Sequence, residues 1–252
     1  MGFHFSKYIL IVIRITAFIV VSPIISMKGI PNAFKLGLSG ILALFIYMGL
    51  PEMEGMDNLL ILAFLSFKEV VLGLAMGYVT SLVFATMDIA GQFVDFQSGF
   101  SMSKTFDPIM GINAGNYGST YYWIGVCAFF ILDLHHKLIE TLIRSFEYIP
   151  LGQSSLSGLT VEAVLTMFSR IFELAFNLAV PMIVVALVVD VVLGVISRTI
   201  PQINVLMLGM PLKQMVSYLV MLVSISWLLR EAGTIISLLP HYLDGFLKLL
   251  ST

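Results

Sequence analysis

The sequence predicts an all-α, polytopic membrane-associated protein of helical hairpins, about six helices in all, and three observations carry that prediction. Its 252 residues hold 13 Lys plus Arg and 15 Asp plus Glu, only 11% charged, against about 25% in an average soluble protein. Apolar residues make up 59% and the mean hydropathy is +1.01, which leaves too few charges to cover a soluble globule. Turn chemistry, Pro or Gly beside polar residues, recurs at 28–31, 51–55, 150–154 and 198–201 and divides the apolar runs. At about 20 apolar residues per span, six or seven helices would use up the chain, so an ordinary soluble enzyme is excluded.

Hydropathy places the helices near 8–27, 36–50, 58–88, 118–144, 161–197 and 212–250. The first contains Arg14 and Pro23 and is followed by no cleavable-leader pattern. The second lies between Ile30-Pro31 and Pro51. The third contains Lys68-Glu69 within an apolar run, where a charge costs about 2.5–3.5 kcal/mol. Neighbouring helix positions point about 100° apart, so these two charges need separate partners, unless the helix starts lower and both sit at its polar end. From Glu69 a four-residue register passes through Gly73, Gly77, Ser81 and Ala85, a groove of small residues that admits a close helix partner, internal or foreign.

Between the third and fourth helices, Gly91-Gln92-Phe93-Val94-Asp95-Phe96-Gln97-Ser98-Gly99 reads as a loop, and it leads through Phe106-Asp107-Pro108 into a Gly/Asn-rich stretch. Irregular backbone must lie outside the bilayer or line a wet cavity. A plain extramembrane loop is the simpler reading, with a re-entrant or pore-lining loop beside it. After the fourth apolar run, Asp133, His135, His136 and Glu140 have helix spacing, but no second cluster completes a metal shell, and a solvated helix end explains them. In the fifth helix Asp190 and Arg198 stand two turns apart, about 12 Å, too far to pair with each other, and each needs another helix. The sixth follows Pro211.

Other classes find no support. A net charge of −2 offers no basic footprint for nucleic acid. Cys127 is the single cysteine, set in an apolar run, and reads as an inert packing thiol. No metalloprotease, phosphate-loop or nucleophile-elbow motif occurs, and no catalytic, cofactor or metal residues are assigned. Met102, Met110, Met207, Met210 and Met215 lie near the two most irregular regions, where adaptable side chains fill gaps or make a deformable seal.

Taken in order, these residues resemble the flagellar biosynthetic protein FliR family, which includes the T component of injectisome type III secretion systems. The resemblance runs through Arg14, Ile30-Pro31, Lys68-Glu69, Gly73, Gly77, Ala90-Gly91-Gln92, Gln97, Gly99 and Phe106-Asp107-Pro108. Its most specific part is the tail: Pro181, Asp190, Leu193-Gly194-Val195-Ile196-Ser197-Arg198, Pro201-Gln202-Ile203-Asn204-Val205 and Gly209-Met210-Pro211-Leu212.

It implies a single export-gate domain over 1–252, in the bacterial inner membrane at the flagellar basal body. Such a subunit assembles with FliP-type and FliQ-type subunits, beside FlhA-type and FlhB-type export proteins, into a helical channel for unfolded flagellar substrates. It does no covalent chemistry and takes no cofactor. The resemblance places a pore plug at about 103–119, including Ser103, Phe106, Asp107, Pro108, Met110, Asn113 and Asn116. It makes Arg14, Lys68, Glu69, Gly73, Gly77, Gln92, Gln97, Asp190, Arg198, Pro201, Gln202 and Pro211 subunit contacts or buried polar residues. An injectisome gate and a small-solute transporter or channel are the alternatives; scattered charges argue against the transporter's single midplane site.

Overall fold

A computed structural model describes residues 5–27, 29–51, 59–100, 116–153, 161–199 and 205–251. The described residues form eight helices and no strand: α1 (Phe5–Val21), α2 (Asn32–Gly49), α3 (Leu59–Ser98), α4 (Asn116–Ile131), α5 (Leu134–Tyr148), α6 (Val161–Thr199), α7 (Val205–Ser237) and α8 (Leu239–Ser251). The all-α class is borne out, with four changes to the helix boundaries, one of them the division of the expected run 212–250 into α7 and α8.

First, α3 runs through Gly91 to Ser98, where the sequence suggested a loop. Gly91 serves close packing: a Cβ there would stand 2.5 Å from Gly118 Cα, so the glycine admits the backbone of α4. Second, the run 118–144 is two helices, because Asp133 adopts φ 53°, a left-handed conformation that Asp tolerates better than most residues. Third, α7 starts at Val205 and carries Pro211 inside it, as α6 carries Pro181. Membrane helices accommodate such prolines when neighbouring groups satisfy the freed carbonyl.

The chain divides into two compact units. The first comprises 1–83, 133–165 and 237–252, the second 84–132 and 166–236. In the first, α1 buries Lys7, Leu10, Ile11, Arg14, Ile15 and Phe18. This is an i, i+3, i+4, i+7 stripe that includes both of its basic residues. It packs on α2 and on the small-residue groove of α3. A Cβ on Gly73 would lie 2.8 Å from Ala17 Cβ and closer still to the Arg14 carbonyl, and one on Gly77 would lie 2.8 Å from the Phe18 carbonyl oxygen. The close partner of the groove is therefore internal. The amphipathic helices α5 and α8 pack on each other, burying Leu138, Leu142 and Phe146 with Leu243 and Leu247 in that unit's core. The second unit's core includes Phe84, Met87, Val94, Tyr117, Tyr121 and Phe129, with Ala175, Ala179, Leu228 and Ala232.

Four helical stretches, Asn32–Gly49, Leu59–Ser98, Leu165–Thr199 and Gly209–Leu250, are long and apolar enough to cross a membrane. They carry large exposed apolar side chains: α2 buries only Ser39, Ala43 and Ile46 but exposes Phe34, Phe45 and Met48.

Gly73→Leu should therefore overpack the α1–α3 contact and cost about 1–3 kcal/mol. Gly37→Ala, with open space around its Cβ, should be neutral or gain roughly 0.5–1 kcal/mol. Thermal unfolding of the purified chain in detergent compares them.

Candidate functional site

In the first unit, three cations serve the ends of helices or turns. A helix C-terminus leaves carbonyls without intrahelical partners, and cations are favoured there. Lys7 donates to the Tyr47 and Leu50 carbonyls at 3.1 and 2.7 Å, at the end of α2. Arg14 donates through one terminal nitrogen to the Ser145 and Ile149 carbonyls at 3.1 and 3.0 Å, at the end of α5. Its Nε meets Glu69 Oε2 at 2.5 Å, with both side chains fully buried, and the Phe146 ring lies 4.1 Å from its guanidinium carbon. Glu69 Oε1 accepts the Gly152 N–H at 2.8 Å, at a glycine whose φ of 75° is one that L side chains avoid. Lys68, half-buried, reaches the Gly152 carbonyl at 3.4 Å. Lys68 and Glu69 thus find their partners within the chain, converging on the carbonyl and the N–H of the same residue, Gly152, while Glu69 alone also meets Arg14.

The second unit uses acceptors instead. The buried Asp95 carboxylate receives the Tyr117 and Gly118 N–H groups, both at 3.1 Å. These are first-turn donors of α4 that would otherwise lack partners, and a carboxylate there is doubly favoured by hydrogen bonding and the helix dipole. Asn116 donates to the Tyr218 hydroxyl at 3.1 Å. The Tyr218 ring stacks on Tyr117 at 5.6 Å, and Phe100 meets Tyr117 and Tyr218 edge-on at 5.8 and 5.4 Å. The residues on either side of 101–115 are thereby tied to one another and to α7. Asp190 Oδ2 accepts from Gln97 of α3 at 3.1 Å and Lys213 of α7 at 2.7 Å.

Of the other expected residues, Gln92 is exposed and bonds only within its own helix, to Asp88 at 2.6 Å, among the described contacts. Arg198 and Pro211 are exposed. Ser103, Phe106, Asp107, Pro108, Met110, Asn113, Pro201 and Gln202 lie outside the described residues. Residues 116–119, within the expected loop, are instead the first turn of α4. Cys127 is exposed, not packed inside. It shares a stripe with Trp123, Phe130 and Ile131, which are 55, 49 and 77% exposed, because α4 turns its other face to Met87 and Phe84.

Asp133, His135 and His136 bring donor atoms within 4.8 Å of one another, at a helix start where Asp133 and His136 are largely exposed. Glu140, their candidate fourth ligand, is drawn away to Arg144 at 2.6 Å. Sequence reasoning assigned no role to Lys7, Asp95, Lys213 or Tyr218. Only Asp95 had a usable signal, the helix start at Asn116-Tyr117-Gly118 with its free donors.

Residues 5–239 match the family described as bacterial export proteins, family 1. The chain is 29% identical over 251 residues to the flagellar biosynthetic protein FliR of Bacillus subtilis, covering 97% of this chain and 96% of the relative. It is 27% identical over 200 residues to FliR of Escherichia coli, covering 79% and 77% of the two chains. It is also 25% identical over 230 residues to Yop proteins translocation protein T of Yersinia pestis, covering 90% and 88%.

Arg14→Met or Glu69→Leu, each stranding its buried partner, should cost about 3–5 kcal/mol and sharply lower the amount of folded chain in the membrane. Asp95→Ala should cost about 1–2 kcal/mol, as loss of a helix cap does. Detergent melting and steady-state membrane levels measure both.

Proposed function

The chain belongs to the bacterial export proteins, family 1, and we propose that it is a subunit of the type III protein export gate that builds the bacterial flagellum. The observation that carries this reading is the family match over residues 5–239, joined by near end-to-end likeness to a flagellar biosynthetic protein. The four long apolar helices make it a membrane protein. Its place of work in this reading is the inner membrane at the basal body.

The gate is an assembly in which this chain, one functional domain over 1–252, joins FliP-type and FliQ-type subunits beside FlhA-type and FlhB-type proteins to pass unfolded flagellar substrates. Two features support an assembled setting. In each unit large apolar side chains face outward, Phe45 and Met48 in the first at 70 and 79% exposed and Leu222 and Val223 in the second at 69 and 87%, and apolar surface of this kind calls for lipid or another protein. Arg14, Glu69 and Asp95, in contrast, find partners inside the chain, so they organise the subunit and leave its apolar faces for assembly. The work is conduction and closure, without covalent chemistry.

Within that gate the segment containing Ser103, Phe106, Asp107, Pro108, Met110 and Asn113 acts as the plug. The ties among Asp95, Phe100, Asn116, Tyr117 and Tyr218 support this role, since they hold the flanking residues on both sides in place. Likeness to the Yersinia translocation protein favours an injectisome gate as the second reading. Restoring motility to a flagellar gate mutant, without restoring secretion to an injectisome mutant, decides for the flagellum.

The chain should co-purify with P-type and Q-type subunits; its isolation as a monomer or homo-oligomer from cells that make those subunits overturns the gate reading. Deleting 103–114, which spares the first turn of α4, should leave the complex assembled and make the membrane leak ions. Unchanged conductance in a normally assembled complex removes the plug role and leaves gate membership standing.

A further inference from the structure

We propose that Asp190 is a positioning residue of the working gate, locking α3, α6 and α7 together through one carboxylate oxygen shared by Gln97 and Lys213. This deepens the gate reading and rests on it. Oδ2 takes both bonds, at 3.1 and 2.7 Å, so a single atom joins α6 to the next helix, α7, and to α3, whose Gln97 lies 93 residues earlier in the chain. The surroundings make the lock more than a surface ion pair, which is commonly worth little. Lys213's side chain is only 14% exposed and Asp190's 44%, while Leu187, Val188, Val191 and Val192 present apolar surface around Asp190 along α6. Lys213, so largely covered, has no cheap alternative partner, so opening the lock leaves its charge without one.

A second attachment reinforces the coupling. Gln97 lies three residues before Phe100, whose ring rests on Tyr218, and Tyr218 lies five residues after Lys213 on α7. The last turn of α3 and the region of α7 around 213–218 are thus held twice, once by charge and once by aromatic contact. The aromatic contact alone leaves α6 out. Asp190 adds it, so displacement of α6 or α7 is passed to the end of α3.

The test uses the full chain in a strain lacking its own copy, with assembled gate and exported substrate measured side by side, so that export is read per assembled gate. Asp190→Asn keeps an acceptor for Gln97 but removes the charge, and Lys213→Met removes the cation. Each should lower export per gate about tenfold, within the range expected of directly coupled residues, and Asp190→Glu should recover most of it. The reversed pair, Asp190→Lys with Lys213→Asp, should return export to within about threefold of the parent. Undiminished export from normally assembled Asp190→Asn and Lys213→Met gates overturns the proposal.

If a single variant fails to assemble, the reversed pair decides: recovered assembly supports the lock, and continued failure overturns it. If the parent chain supports no export in any host, the gate reading fails on its own. The lock is then read by a double-mutant melting cycle on the purified chain, where additive effects of the two substitutions overturn it.

Discussion

The contact between Arg14 and Glu69 is the constraint on which the first unit is built. Both groups are fully buried, so neither can be left without its partner. Serving both requires four pieces of chain to converge: α1 brings the guanidinium, α3 the carboxylate, the end of α5 two carbonyls, and Gly152 an N–H. A buried ion pair is poor evidence of extra stability, since a well-packed apolar replacement often does as well. What it fixes is geometry. An arginine with three directed hydrogen bonds accepts one relative placement of those pieces, whereas the apolar stripe of α1 would tolerate several. The close approach at Gly73 follows, because the same turn of α1 that carries Arg14 must press its backbone against α3.

The two units solve the same electrical problem with opposite signs. Where helices α2 and α5 end, exposed carbonyls are met by Lys7 and Arg14. Where α4 starts, free N–H groups are met by Asp95. In water these termini could be hydrated, and such contacts would contribute a fraction of a kcal/mol to about one. With so much apolar surface turned outward, hydration is scarce and the chain supplies its own partners. A quarter of its 28 charges, namely Lys7, Arg14, Lys68, Glu69, Asp95, Asp190 and Lys213, serves helix ends, turns and one three-helix junction.

Much of this was legible in the sequence, and the reason differs from residue to residue. Composition revealed the helices and their setting, since an 11% charged chain has few alternatives. The separate demands of Lys68 and Glu69 follow from helix geometry alone, and so does the Gly73–Gly77 groove. The identity of their partners does not, because Arg14 stands 55 residues from Glu69 and no local rule links them. Hydropathy misread 91–98 because Gln92, Asp95 and Gln97 lower it, although Asp95 is buried by α4 and Gln97 is held by α6. It misplaced the start of α7 because proline ordinarily ends a helix. Asp133 needed a backbone angle that composition cannot reveal.

The order in which the chain is made gives the Arg14 contacts a further meaning. Ile149, whose carbonyl Arg14 holds, lies 135 residues later. At about 5–20 residues per second, many seconds pass between the synthesis of the two. Throughout that interval α1 exists with a cation on its apolar face and only part of its solvation, at a cost of roughly 2.5–3.5 kcal/mol if it enters lipid alone. The first helix is therefore incompletely partnered during biosynthesis, and the contacts of Arg14 are complete only when the end of the fifth arrives.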